Sequence, residues 1–132
     1  MKVLKKILLT FFLLFSITGT SQTRKHFNTF TIITYNGKYV NKTVKDNAVF
    51  KEEKNYITLI SDNFTFENAY KTNIVEHHYD EQYGRVTATL YTTRFYEILL
   101  IQHIDLPKKE GIYLKIIDAE EEEYLIHLHN KL

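Results

Sequence analysis

Apolar and polar side chains alternate along most of this chain with a period of two residues. From Phe27 to Tyr35, large apolar side chains alternate with threonines, a pattern typical of a β-strand with one buried face. The Asn36-Gly37 pair that follows accepts positive φ at both positions. It therefore predicts a tight hairpin turn and a return strand over residues 38–41.

The same alternation continues to the C-terminus, interrupted by short runs of turn-forming residues. Strands are predicted over residues 56–60, 64–66, 71–79, 85–93, 94–104, 112–117 and 123–129. Turns are predicted between them at residues 61–63, 80–84 and 118–121. The stretch from Asn68 to Lys71 is predicted to bend or to form a bulge.

One predicted strand is more apolar than the others. The run from Arg94 to Ile104 places apolar side chains on both faces, which predicts a central strand that is covered on both sides. A helix is disfavoured here, because β-branched and aromatic side chains lose χ1 freedom in a helix and no capping residue precedes the run.

Residues 43–54 fit two patterns. Val44 and Ala48 have helical spacing, and Thr43 could serve as an N-cap. The alternative is a strand over residues 47–51 that turns into the next strand. The sequence favours the strand and leaves both interpretations open.

About eight to ten short strands, joined in succession by tight turns, predict an all-β fold. The expected architecture is an antiparallel meander in one domain over residues 22–132, either a small closed barrel or a β-sandwich. The barrel is similar in architecture to the lipocalins. The chain has no tryptophan, however, and therefore lacks the Gly-x-Trp motif of their first strand.

The N-terminus has the pattern of a cleaved signal peptide. Three lysines precede an apolar run from Ile7 to Ile17, which as a helix would rise about 16 Å, short of the ~30 Å bilayer core. Small residues precede Gln22, so cleavage there is predicted to remove residues 1–21. We therefore expect an exported protein, periplasmic or extracellular, with no membrane anchor in the mature form and a composition that resembles exported bacterial proteins.

Composition limits how the mature chain is stabilised and what it binds. Because the sequence contains no cysteine, packing of the core has to hold the domain together without disulfides. The predicted signal peptide contains three of the 17 basic residues. The mature chain therefore has 14 basic and 16 acidic residues, which gives it a charge of −2. No basic run exceeds two residues, so neither nucleic acid nor an anionic membrane is an expected partner.

Two histidines near the C-terminus suggest a possible metal site. His127 and His129 fall on one face of the last predicted strand, and the opposite face is apolar and expected to point into the core. Such a pair can bind one zinc or copper ion only with the help of further ligands. The candidates for these further ligands are Glu76, His77, His78 and Asp80. Spacing alone does not bring them together, so solvent-facing histidines are the favoured interpretation.

No motif for catalysis or cofactor binding is present. Ser61 lies in a predicted turn without a nucleophile elbow, and the three glycines after residue 21 are isolated at turns, so neither acyl-enzyme chemistry nor a cofactor is expected. Glu97 is a possible general acid if it is buried within its apolar strand. The alternatives are a position at a sheet edge or an ion pair with Arg85 or Arg94.

The sequence therefore predicts a non-enzymatic domain. The favoured function is a binding module that takes a small apolar ligand at one mouth of a barrel. The alternative is a cell-envelope domain, without a ligand cavity, whose aromatic sheet face docks a partner protein.

Overall fold

A computed structural model describes residues 22–105 and 111–131. The predicted signal peptide, residues 1–21, lies outside the described residues, as does Pro107 in the predicted polar loop. The described part of the chain contains no helix that is long and apolar enough to cross a bilayer.

The fold is a closed antiparallel barrel in which each strand pairs with its neighbours in sequence and the last strand pairs with the first. Its strands are β1 (Thr23–Tyr35), β2 (Lys38–Glu52), β3 (Tyr56–Ile60), β4 (Phe66–Asp80), β5 (Gly84–Thr92), β6 (Tyr96–His103), β7 (Ile112–Asp118) and β8 (Glu123–His129). The all-β prediction is confirmed, and of the two architectures left open the barrel is the one observed.

The region that fitted both a helix and a strand is part of one long strand, β2. Two register shifts against β1 interrupt it, and in each of them β2 contributes one residue more than β1. Asn41, at φ 51, lies in one of these bulges, and Asp46 lies in the other. Val44 and Ala48 both contact the core, because residues four apart share a face in a strand as they do in a helix, and this explains the helix-like spacing.

The predicted irregularity at residues 68–71 is also confirmed. Asn68 has φ 52, and the pairing of β3 with β4 shifts register between Ile57 and Leu59. A second shift, between Lys71 and Val75 on β4, leaves two extra residues opposite β5. These bulges join the two predicted segments into the single strand β4.

Inward-facing side chains of all eight strands form one apolar core. Phe50, Ile57, Leu114 and Leu128 are each no more than 2 % exposed. In β8 the predicted inward face is confirmed, because Ile126 and Leu128 are buried whereas Leu125, His127 and His129 are half-buried on the outside.

The prediction that Arg94 to Ile104 is covered on both sides is wrong. In β6, Ile98 and Leu100 point into the core, whereas Leu99 and Ile101 are half-buried on the outer face of the barrel. No second layer of the described chain covers that face, because the fold is a single closed sheet.

Candidate functional site

A cavity of about 380 Å³ opens at the barrel end that carries the β1–β2, β3–β4, β5–β6 and β7–β8 connections. Its lining combines branched and aromatic side chains with a few polar ones: Phe30, Ile32, Lys42, Val44, Asn63, Phe64, Tyr96, Ile116, Asp118, Tyr124 and Ile126. We call this space the mouth cavity. Its floor is the apolar core, since Phe30, Ile116 and Ile126 belong to both.

Three aromatic side chains, Phe64, Tyr96 and Tyr124, form part of the wall. The rings of Phe64 and Tyr96 meet edge to face, with centroids 5.1 Å apart and planes at 70°. Tyr124 also lines the cavity, and its ring lies 5.0 Å from the ring of Tyr35 at 48°, with Tyr35 outside the lining. Both arrangements are favourable for aromatic pairs, and they order the rings of Phe64, Tyr96 and Tyr124 in the wall.

Glu122 ties the tyrosine pair to the acidic tip of the β7–β8 hairpin. The Tyr124 hydroxyl donates a hydrogen bond to Glu122 Oε2 at 3.1 Å. Burial, that hydrogen bond and the charge of Glu122 together raise the pKa of Tyr124 to about 12. The pKa of Tyr35 is also raised, chiefly by hydrogen bonding to Glu122. Both phenols are therefore neutral hydrogen-bonding groups at physiological pH.

The β3–β4 loop, residues 61–65, brings Asn63 and Phe64 to the cavity because Asp46 holds it. The Asp46 carboxylate accepts hydrogen bonds from Ser61 Oγ at 2.6 Å, from Asn63 Nδ2 at 2.6 Å and from the Asp62 amide at 3.0 Å. Burial by itself raises the pKa of Asp46, but the donors outweigh burial and the pKa is lowered overall. Asp46 is thus a buried, ionised anchor for one wall of the site.

We expect Asp46→Ala to lower the free energy of unfolding by about 2 kcal/mol, because three donors lose their buried acceptor. A group whose pKa is lowered by folding stabilises the fold above its unfolded pKa, and this contribution is lost as the pH falls through the folded pKa. The difference in free energy of unfolding between wild type and variant, measured by urea denaturation, should therefore be largest near neutral pH and should decrease below about pH 4.

Asp62→Ala is the matched control for this prediction, since Asp62 is an exposed aspartate of the same loop that uses only its amide in the network. It should change stability by no more than about 0.5 kcal/mol. A difference between wild type and Asp46→Ala that stays constant from neutral to acid pH would contradict the assigned role.

His127 and His129 lie together on the outer face of β8, as the strand pattern predicts. Their rings stack with centroids 4.4 Å apart and planes at 13°, and Tyr113 stacks on the other side of His127 at 4.1 Å. His129 Nε2 lies 2.9 Å from the hydroxyl oxygen of Thr31. Parallel stacked imidazoles direct their nitrogen lone pairs side by side, so the two rings as placed do not converge on one point.

The proposed further ligands are not brought to this pair. Glu76, His77, His78 and Asp80 belong to β4, which pairs with β3 and β5, whereas β8 pairs with β7 and β1. His78 Nε2 instead contacts Glu76 Oε2 at 3.1 Å on the surface. Residues 22–105 and 111–131 contain no group of three or more His, Cys, Asp or Glu that could hold a metal ion. The metal site at His127 and His129 stays a prediction without a third ligand.

The hypothesis of a buried Glu97 is wrong. Glu97 is exposed on the outer face of β6, opposite Thr92 and Ile117 in the neighbouring strands. The proposed ion pair of Glu97 with Arg85 is not formed either, since Arg85 binds Asp105 through its side chain, at 2.7 Å from Nη2 to Oδ1. The proposed sheet-edge position is not observed either, because the sheet is closed, and Glu97 instead lies exposed on the outer surface of the barrel.

No family model, curated protein or solved structure matches this chain.

Sequence reasoning missed most of the residues that form the mouth cavity. It predicted the inward face of β8, and so indicated Tyr124 and Ile126, but it did not single out Asp46, Asp118 or Phe64. A signal for Asp118 was present, because an aspartate that begins a turn commonly caps the amides that follow it. The link between Asp46 and the β3–β4 loop spans 15 to 17 residues and has no comparable local signal.

Proposed function

We propose that the protein is a non-catalytic binding module that takes a small, largely apolar ligand into the mouth cavity. The observation that carries this proposal is the cavity itself. Its volume of about 380 Å³ lies within the ~300–1,000 Å³ of small-molecule sites, and its lining has the usual mixture of an apolar wall and a few polar groups. Export to the periplasm or the extracellular space is part of the proposal and rests on the signal-peptide pattern of residues 1–21.

A second, smaller cavity at the opposite end of the barrel supports this function less well. Its volume is about 220 Å³, below the usual range for small-molecule sites, and charged and polar side chains of Lys25, Glu52 and Gln102 contribute to its lining. Burying a ligand there would require these groups to lose water. The mouth cavity is therefore the better candidate.

Octanol, titrated into the purified protein and followed by NMR chemical shifts, tests the proposal. We expect saturable shifts at the residues that line the mouth cavity. Val44→Phe should weaken binding about tenfold or more, equivalent to about 1.4 kcal/mol, because the larger side chain fills space that the probe needs. An open cavity can accept the added ring with little strain, so the fold should be retained.

Val49→Phe is the matched control, since Val49 lies on the same strand, between the buried Ala48 and Phe50, and points to the outer face. This variant should bind octanol as wild type does. The proposal fails if octanol gives no saturable shifts at the mouth cavity, or if both variants bind it equally well.

Docking of a partner protein is the second candidate function, and one observation favours it. The outer face of β5 to β8 carries an apolar strip of half-buried side chains that point away from the core: Val86, Leu90, Leu99, Ile101, Ile117 and Leu125. Apolar strips of this kind are typical of surfaces that contact other macromolecules. In the sequence-based hypothesis, the partner-docking domain had no ligand cavity. Because the mouth cavity is present, it supports ligand binding over partner docking.

A further inference from the structure

We propose that the mouth cavity selects ligands whose apolar body carries a cationic group, such as an alkylammonium. This inference rests on the proposed function and names the class of ligand. The aromatic wall and the carboxylate of Asp118 within that wall are the features that carry it.

Asp118 lies between aromatic side chains at the rim of the cavity. It is the last residue of β7, and its register partner on β6 is Tyr96. On the other side, Ile116, which shares the inward face with Asp118, pairs with Tyr124 on β8. All four residues line the cavity, so a ligand group at this position meets a carboxylate with an aromatic ring on either side.

The carboxylate is held in place, and part of it is available to a ligand. Asp118 Oδ1 accepts hydrogen bonds from the amides of Glu120 at 2.9 Å and Glu122 at 3.0 Å, which fixes its orientation in the hairpin turn. Within the described chain, Oδ2 accepts no hydrogen bond, and Asp118 forms no ion pair with a lysine or arginine. A cation would supply the missing partner of this half-buried charge.

The aromatic rings favour the same kind of ligand. The face of an aromatic ring carries partial negative charge, and it attracts ammonium groups by about 0.5–2 kcal/mol. Phe64, Tyr96 and Tyr124 line the cavity, and Tyr35 packs against Tyr124. Aromatic walls combined with a carboxylate provide a charge partner and an apolar surface for the methyl or methylene groups of an organic cation.

The electrostatic environment of the tyrosines agrees with this assignment. The charges of Glu122 and Asp118 both act to raise the pKa of Tyr124, after the larger effect of burial. The same negative potential that opposes formation of a phenolate at Tyr124 would stabilise a bound cation.

Lys42 is the basic residue in the lining, and it opposes a cation less strongly than Asp118 attracts one. Lys42 is exposed, whereas Asp118 is half-buried. An exposed ammonium is solvated and screened by salt, whereas the partly desolvated carboxylate acts through a medium of lower dielectric constant. The acidic side chain therefore dominates the charge preference of the cavity.

The test compares three probes of the same chain length at low ionic strength: octyltrimethylammonium, octanol and octanoate. We expect the purified protein to bind octyltrimethylammonium most tightly in calorimetric or NMR titrations. Asp118→Asn should weaken binding of that probe about fivefold, the order expected of a partly exposed charge pair, and leave octanol binding unchanged. Asparagine retains an oxygen that accepts the two amide hydrogen bonds, so the turn should persist.

Glu120→Gln is the matched control, because it removes one negative charge from the same hairpin at an exposed position outside the cavity lining. It should leave the preference for the cation in place. If octanol binds at the mouth cavity but octanoate binds as tightly as the cation or more tightly, or if Glu120→Gln acts as Asp118→Asn does, the inference is overturned while the proposed function stands. If none of the three probes binds, the proposed function fails as well.

Discussion

Phe50→Ala should lower the free energy of unfolding by about 4 kcal/mol, as expected when a fully buried phenylalanine is truncated. Phe50 is 2 % exposed and packs in the core formed by the inward faces of all eight strands. The substitution removes apolar contacts and leaves a cavity that a closed sheet cannot readily collapse to fill. Urea or thermal denaturation followed by circular dichroism measures the effect.

The effect is large relative to the whole stability of such a domain, which is about 5–15 kcal/mol. The sequence contains no cysteine, so no disulfide limits the loss. For a domain of this size a change of 4 kcal/mol corresponds to a fall in Tm of about 15 °C.

Phe95→Ala is the matched control for Phe50→Ala, since it makes the same chemical change at a side chain that is 62 % exposed. It should cost no more than about 0.5 kcal/mol, including the loss of the contact between Arg94 and the Phe95 ring. If the two variants are equally stable, the barrel interior is not the main source of stability and the assignment of inward faces is wrong.

Local sequence signals predicted the strands and turns of this fold well. Tyr56–Ile60 was predicted with the observed bounds, because an alternating run ends there at a cluster of Ser, Asp and Asn. Asn36 and Gly37 have φ 49 and 79, as a two-residue hairpin turn with positive φ at both positions requires. These features depend only on neighbours in sequence.

Features that depend on closure of the sheet were not predictable from the sequence. A run with apolar groups on both faces, such as that from Arg94 to Ile104, is compatible with a covered central strand and with a barrel strand that keeps an apolar outer surface. Closure of the sheet into one layer selects the second outcome. It also places Glu97 on the surface, where the sequence had suggested a possible buried acid.

The candidate site was predictable only in part for the same reason. The inward face of β8 follows from alternation, so Tyr124 and Ile126 could be expected to point into the barrel. The mouth cavity also requires the β3–β4 loop to bring Phe64 over the barrel end, and that position depends on the contact of the loop with Asp46 in a bulge of β2. Alternation carries no information about a bulge that is stabilised by a distant loop.

Gly111→Ala should destabilise the protein by about 3 kcal/mol or more, the second large effect that we expect. Gly111 precedes β7 and has φ 92, a conformation that residues with a side chain rarely adopt. A Cβ atom built there would overlap the backbone carbonyl oxygen of Leu128 in β8. Because that oxygen belongs to the backbone of a paired strand, the clash can be relieved only by moving one strand relative to the other.

Gly37→Ala is the control that distinguishes backbone strain from the steric clash with Leu128. Gly37 also has positive φ, at 79, but no atom lies within 4 Å of the position that its Cβ would take. Alanine there should cost only about 1 kcal/mol, the strain of the left-handed conformation by itself. Denaturation should show a greater loss of stability for Gly111→Ala than for Gly37→Ala. Amide hydrogen exchange of Gly111→Ala should show a loss of protection centred on β7 and β8. Equal effects of the two substitutions would mean that Gly111 does not fix the start of β7 against β8, because strain alone would then account for both.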